Sequence, residues 1–262
     1  MVMSPSAGSR TAAPGAAVIW HDLECGAYRA DLGLWLSLAA DAATEGRAAR
    51  VLDIGAGTGR VAIVLGRAGH LLSALDIDPL LVAALRERAA GLPVTATVAD
   101  ARTFALERRG HDLGLVPMQT LQLLRGAAER AALFERACEH LRPGALLACA
   151  IVTDVESFDS RDGRLGPTPE HVRLGGDRYL SRAIRVQAGH RVITIERERL
   201  VERAPGSAGV PPASELDVIE LERLTADQLQ REAEALGLTA EPTLAIAETE
   251  DHSASEVVVF RV

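Results

Sequence analysis

The chain has 262 residues, a formal net charge of −8, 48% apolar residues and only 3% aromatic ones, enough for one domain with an elaboration, or one and a half, built on Ala, Leu and Val. The negative balance argues against a surface that gathers nucleic acid by counterion release. All 28 basic residues are arginines, and without lysine there is no Walker A loop, no Schiff base and no pyridoxal phosphate chemistry.

Residues 1–17, rich in Ala, Ser, Gly and Pro, lack the charged lead-in and apolar run of a signal segment and are expected to form a disordered arm. No apolar run reaches the ~18 residues of a membrane helix. Cys25, Cys138 and Cys149 are odd in number and form no CxxC pair. A disulfide framework and structural zinc are therefore not expected, and a reducing, cytoplasmic setting is. Residues 18–50 are read as a helical lid segment, since Leu32, Trp35, Leu36 and Ala39 recur at helical spacing.

Val51-Leu-Asp-Ile-Gly-Ala-Gly-Thr-Gly-Arg60 then reads as strand, glycine loop and helix start, and a second apolar run, 71–75, ends in Asp76. Such a unit binds the adenosine half of a cofactor at the carboxyl edge of a parallel sheet, with the acid accepting from ribose hydroxyls. A dinucleotide site needs its third glycine one place later, where Arg60 stands, so a pyrophosphate is not the expected ligand. Asp78 is read as an N-cap with Pro79 at the first helical position and Gly91 past the end. Strands at 94–98, 113–116 and 145–152, and a helix over 129–141 ended by Pro143-Gly144, complete an alternation. It predicts an α/β fold with a doubly wound, mostly parallel sheet.

After Val152 the rhythm changes. A polar stretch, 157–176, precedes apolar runs at 179–186 and 191–201, read as a hairpin and joined by a third strand at 216–221. Thr225 and Gln228 are read as a capping box with Gly237 at the helix end, and strands near 239–247 and 256–262 as a closing antiparallel hairpin. The expected organisation is a core over 51–152, a small antiparallel insertion over 153–222, and a last helix and strands over 223–262.

Over most of 51–152, and more weakly over 221–262, the chain resembles the class I S-adenosylmethionine-dependent methyltransferases of small-molecule type. The resemblance implies a seven-stranded Rossmann-like sheet and S-adenosyl-L-methionine as cofactor. It implies that Asp53, Gly55, Ala56, Gly57 and Gly59 cradle the methionine part, and that Asp76, with Ile77 beside it, takes the ribose hydroxyls. Asp100, with Ala101, would face the adenine amine, and Val116 and Pro117 would supply a backbone contact. Tyr28 is either an aromatic cover of the methyl donor or a helix-packing residue. The reaction implied is methyl transfer to an oxygen or nitrogen of a small molecule, with no nucleic-acid or membrane partner. The insertion would build the acceptor pocket or a subunit contact in a homodimer. Without asparagine, the Asn-Pro-Pro-aromatic motif of base-amine methyltransferases is absent.

Methyl transfer from a sulfonium mainly needs near-attack geometry, and a base is required only for acceptors that must lose a proton. No residue is assigned as that base. The candidates are His252 in the last hairpin turn, His21 and Tyr28 ahead of the leading helix, and Gln119 after the fourth strand; a plain solvated loop is the rival reading of His252. His70, His111 and His140 stand at the amino ends of strands and are expected to be surface or packing residues. Arg182, Arg185, Arg197 and Arg199 are read as a solvated face paired with Glu196, Glu198 and Glu202 rather than as an anion clamp. Asp154 and Glu156 are too few for a metal, and none is expected. The rival functions are a catalytically silent cofactor-binding regulatory or scaffold protein and a nicotinamide-dependent oxidoreductase.

Overall fold

A computed structural model describes residues 15–44, 46–161, 167–204, 213–249 and 252–262. Most of the expected arm, 1–14, lies outside the described residues. Helix α1 (Ala16–His21) begins inside that expected arm and runs into a π-helical turn, Asp22–Gly26. Its packing is tertiary: the Trp20 ring meets Tyr179 of the insertion edge-on, with centroids 5.5 Å apart. Helix α2 (Leu32–Ala42) follows, with Trp35 and Ala39 fully buried on the expected face.

The core then alternates: β1 (Arg50–Ile54), α3 (Arg60–Arg67), β2 (Leu71–Asp76), α4 (Pro79–Arg88), β3 (Val94–Val98), β4 (His111–Val116), α5 (Gly126–His140) and β5 (Leu141–Val152). Asp78 caps α4, its Oδ1 accepting from Leu80 N at 2.7 Å. Pro143 and Gly144 do not separate α5 from β5 but lie inside the strand. The end of the chain pairs with them, for Gly144 N donates to Val262 O and Val262 N to Ala145 O.

The insertion has two more strands than expected: β6 (Phe158–Asp159), β7 (Glu170–Leu174), β8 (Asp177–Ala188), β9 (Val192–Glu202) and β10 (Ala213–Glu222). They make a five-stranded antiparallel sheet ordered β10-β9-β8-β6, with β7 also on β8. The two extra strands fall in the stretch read as loop, because polar residues paired on a long neighbour carry no alternation of their own. Gln122, buried below the sheet, donates to Val152 O and Glu222 O and accepts from Val152 N, tying the insertion to β5. Helix α6 (Ala226–Glu234) realises half the capping box. Thr225 Oγ1 accepts from Gln228 N, but the Gln228 side chain turns to Glu232.

Strands β11 (Thr239–Ile246) and β12 (Ser255–Arg261) close a seven-stranded sheet ordered β11-β12-β5-β4-β1-β2-β3, parallel from β1 to β5, with β12 antiparallel to β5. Apolar side chains pack both faces, around Trp35, Leu65 and Leu85 on one and Leu133, Phe134 and Leu229 on the other. The strand order reverses between β1 and β4, which opens a crevice beyond their carboxyl ends.

Candidate active site

A cavity of about 660 Å³ occupies that crevice, bounded by the glycine loop, the N-terminal segment and one face of the insertion. Gly55 and Gly57 have φ of +76° and +54°, the left-handed region that favours glycine. A Cβ on Gly55 would stand 2.5 Å from the Thr120 side chain, and one on Gly57 would stand 2.3 Å from His21 Nε2. Close approach and backbone conformation thus both demand the glycines.

Gly57 N donates to Asp76 Oδ2 at 2.8 Å and Asp78 N to Asp76 Oδ1 at 2.9 Å. These bonds hold the carboxylate at the cavity wall while each oxygen keeps a lone pair to offer. Asp53 also lines the cavity, and neither of its buried oxygens accepts a hydrogen bond among the described residues. Burial pushes its carboxyl up to about 7, with Arg60 pulling down and Asp76 and Asp31 pushing further up. Ala56, Ala101 and Pro117 line the same space, and Ile77, 65% exposed, offers it an apolar surface.

Four of the expected cofactor residues stand back from the cavity. Val116 is wholly buried in β4, Gly59 packs against Leu85 and Ile63, and Gly57 lies under the His21 ring. Tyr28 is a packing residue here, since its buried ring meets that of His252 at a 39° tilt with centroids 4.7 Å apart and lies 5.2 Å from the Arg60 guanidinium. His252, not Tyr28, reaches the cavity from that pair; its neighbours Glu250 and Asp251 lie outside the described residues. Asp100 lines the cavity, but its carboxylate is already gripped by Arg102, through Nε at 2.9 Å and Nη2 at 2.6 Å, and Arg102 also reaches Glu129. Contact with an adenine amine would have to share that carboxylate. No motif pointed to Arg102, although its place two residues after the acid is a local signal.

Arg60 anchors the N-terminal segment. Its guanidinium pairs with buried Asp31 at 2.5 and 2.7 Å, and Asp31 also accepts from Trp35 Nε1. The residue that breaks the dinucleotide spacing thus holds the N-terminal segment instead. His21 lines the cavity, 3.3 Å from Thr58 Oγ1, while Thr58 donates to Asp22, which Arg88 also binds. Burial lowers the His21 pKa against the pull of Asp76, Asp22 and Glu24, so the ring is neutral at neutral pH. Gln119 lines the cavity beside Met118, which has a φ of +53°.

His111 and His140 are buried in packing at the far edge. His111 bridges His140 O and Ser73 Oγ, and His140 Nε2 accepts from Leu106 N. His70 is also buried. Asp154 and Glu156 are exposed and outside the cavity. Arg182 and Arg185 pair with Glu198 and Glu196 as expected. Arg197 and Arg199 overturn the solvated-face reading: Arg199 binds both oxygens of Glu24 at 2.7 Å, and Arg197 lines the cavity with Glu170, Ile195 and Ile219. The alternation of Ile193-Thr-Ile-Glu-Arg-Glu-Arg199 carried this signal, since odd and even positions of a strand face opposite ways.

Residues 51–144 match the sequence family described as a methyltransferase domain. Over those residues the chain carries a methyltransferase domain. No curated protein matches the chain in sequence. Solved structures share its fold well beyond the matched segment. An amino pentose methyltransferase from Micromonospora echinaspora superposes with a TM-score of 0.69 at 21% identity, over 94% of this chain and 97% of that one. A sugar N-methyltransferase from Streptoalloteichus sp. superposes with a TM-score of 0.70 at 19% identity, over 100% and 99%. DesVI of Streptomyces venezuelae gives 0.70 at 19% identity, over 93% and 97%. S-adenosylmethionine suits this methyltransferase on the residues themselves. Asp53 offers an unpaired carboxyl to a cationic group, Asp76 offers lone pairs to hydroxyls, and Ile77 an apolar surface to a purine.

Proposed function

We propose that this enzyme moves a methyl group from S-adenosylmethionine to an amine nitrogen of a small molecule. The observation that carries the reading is one continuous cavity. The glycine loop, Asp53 and Asp76 line its walls together with the inner face of the insertion, so donor and acceptor sites adjoin. An amine is preferred to an oxygen acceptor because two of the structural relatives are described as acting on an amino pentose and as a sugar N-methyltransferase.

Asp53 and the Gly55 turn would hold the methionine part, Asp76 the ribose, and Ile77 with Ala101 the base. When bound, the cofactor supplies a methyl group on a positively charged sulfur. The chain itself excludes water with the N-terminal segment and orients the acceptor, for which Gln119 offers a hydrogen-bonding amide. An ammonium must shed a proton before it can attack, and the imidazole of His252 in the cavity wall is assigned to take it. Three free cysteines support a reducing, cytoplasmic setting; among the described residues no helix is long and apolar enough to cross a membrane. Exposed Leu216 and Val218 on edge strand β10 favour a homodimer contact there, to be read by sedimentation velocity.

Calorimetric titration with S-adenosylhomocysteine, with NAD as control, tests the cofactor half, and methyl transfer to a panel of amino sugars tests the rest. Preference for NAD would overturn the reading. Tight homocysteine-nucleoside binding without turnover on any amine would favour a silent binding protein.

A further inference from the structure

Inside the insertion, β9 turns two arginines toward the core, and their surroundings differ sharply. Arg199 is saturated: Glu24 takes it with both oxygens, Glu215 stands 3.3 Å and Asp217 3.1 Å from its Nη1. Arg197 lies directly opposite Asp217 in the β10 register and its charge acts on that acid, but the two form no ion pair, because Asp217 Oδ1 meets Arg199. Glu170 lines the same cavity. Among the described residues, every other buried or half-buried arginine has an ion pair or a hydrogen bond; Arg197, half-buried, has neither, and it lines the active-site cavity with Ile195, Ile219 and Leu123.

A charge withdrawn from bulk water is ordinarily paired, because desolvation is costly otherwise. Apolar walls strengthen whatever pairing a ligand brings. A guanidinium presents a planar fork that matches two oxygens of a phosphate or carboxylate. The position of Arg197, on the insertion rather than the glycine loop, assigns that fork to the acceptor and not to the donor.

We propose that Arg197 selects the methyl acceptor by binding an oxyanion on it, so that the substrate is a small amine bearing a phosphate or carboxylate group. This rests on the function proposed above. Arg197 acts by holding the acceptor and takes no part in proton transfer.

The test uses the full chain saturated with S-adenosylhomocysteine and titrated by calorimetry with inorganic phosphate and, separately, with acetate. The wild type is expected to bind at least one anion in the millimolar range. Arg197→Gln should weaken that binding about tenfold or more, the scale of a lost charge-assisted fork, while Arg182→Gln, on the paired part of the sheet, leaves it unchanged. Response to phosphate alone would identify a phosphorylated acceptor, and response to acetate alone a carboxylated one. Failure of both anions to bind, equal binding by Arg197→Gln, or equal loss in Arg182→Gln overturns the inference. Unaltered S-adenosylhomocysteine affinity in Arg197→Gln shows that the variant is folded. If that nucleoside fails to bind the wild type, the function itself falls; if it binds and the anions do nothing, only the role of Arg197 falls.

Discussion

Asp53 is an acid buried in β1 whose oxygens make no hydrogen bond among the described residues, and burial lifts its carboxyl to about 7. Relative to an ordinary aspartate, it costs the fold stability above about pH 4, and the cost grows until about pH 7. A cation bound beside it reverses that cost by favouring the carboxylate, so binding releases a proton. Affinity for S-adenosylmethionine should therefore rise about tenfold between about pH 6 and 8, as a group of that pKa goes from mostly protonated to mostly ionised. Calorimetry across that range measures it, and Asp53→Asn should flatten the slope even though neutral His21 lines the same cavity. Asp76→Ala should weaken S-adenosylhomocysteine binding by about 1.5 to 3 kcal/mol, the loss of hydrogen bonds to a charged group. Unchanged affinity would remove Asp76 from the site. The two acids were legible in the chain because each ends an apolar run. The ring contact that carries His252 to the cavity and leaves Tyr28 behind was not, since 224 positions of chain separate the partners.

At the scale of elements, the N-terminal segment is fastened at both ends of the cavity, to the core through Asp31 and Arg60 and to the insertion through Glu24, Arg199 and Ser181. The Asp31–Arg60 pair is almost fully buried, and removing one member leaves an uncompensated charge. Asp31→Ala should cost about 3 to 5 kcal/mol, read by urea unfolding, and a loss below about 1 kcal/mol would show that the segment is not anchored there. Helix α2 was visible from its apolar spacing. The α1 turns ahead of it were not, because Ala, Gly and Pro lead into them and Trp20 finds its partners, Tyr179 and Arg199, on β8 and β9.

Across the whole molecule, charge networks lock distant segments together. Asp112 at the start of β4 is buried, which alone would raise its pKa, but Arg47, Arg50 and Arg142 bind it and hold it well below the usual carboxylate range. An acid with a depressed folded pKa stabilises above its ordinary value near 4 and loses that contribution as pH falls below it. Asp112→Asn should thus be less stable than wild type at neutral pH, with the gap narrowing toward about pH 3, in urea unfolding at the two pH values. A constant gap would show that packing, not charge, is responsible.

What the sequence alone determined is local: the glycine loop, the acids that end β1 and β2, the capped α4 and the alternation that makes a parallel sheet. Each depends on residues within a turn or two of one another, where backbone conformation and periodicity suffice. Only the tertiary structure decided which arginines of β9 are spent, and that Tyr28 packs while His252 lines the cavity. Those outcomes follow from side chains competing for partners across the fold, and a carboxylate claimed by one arginine is withdrawn from the next.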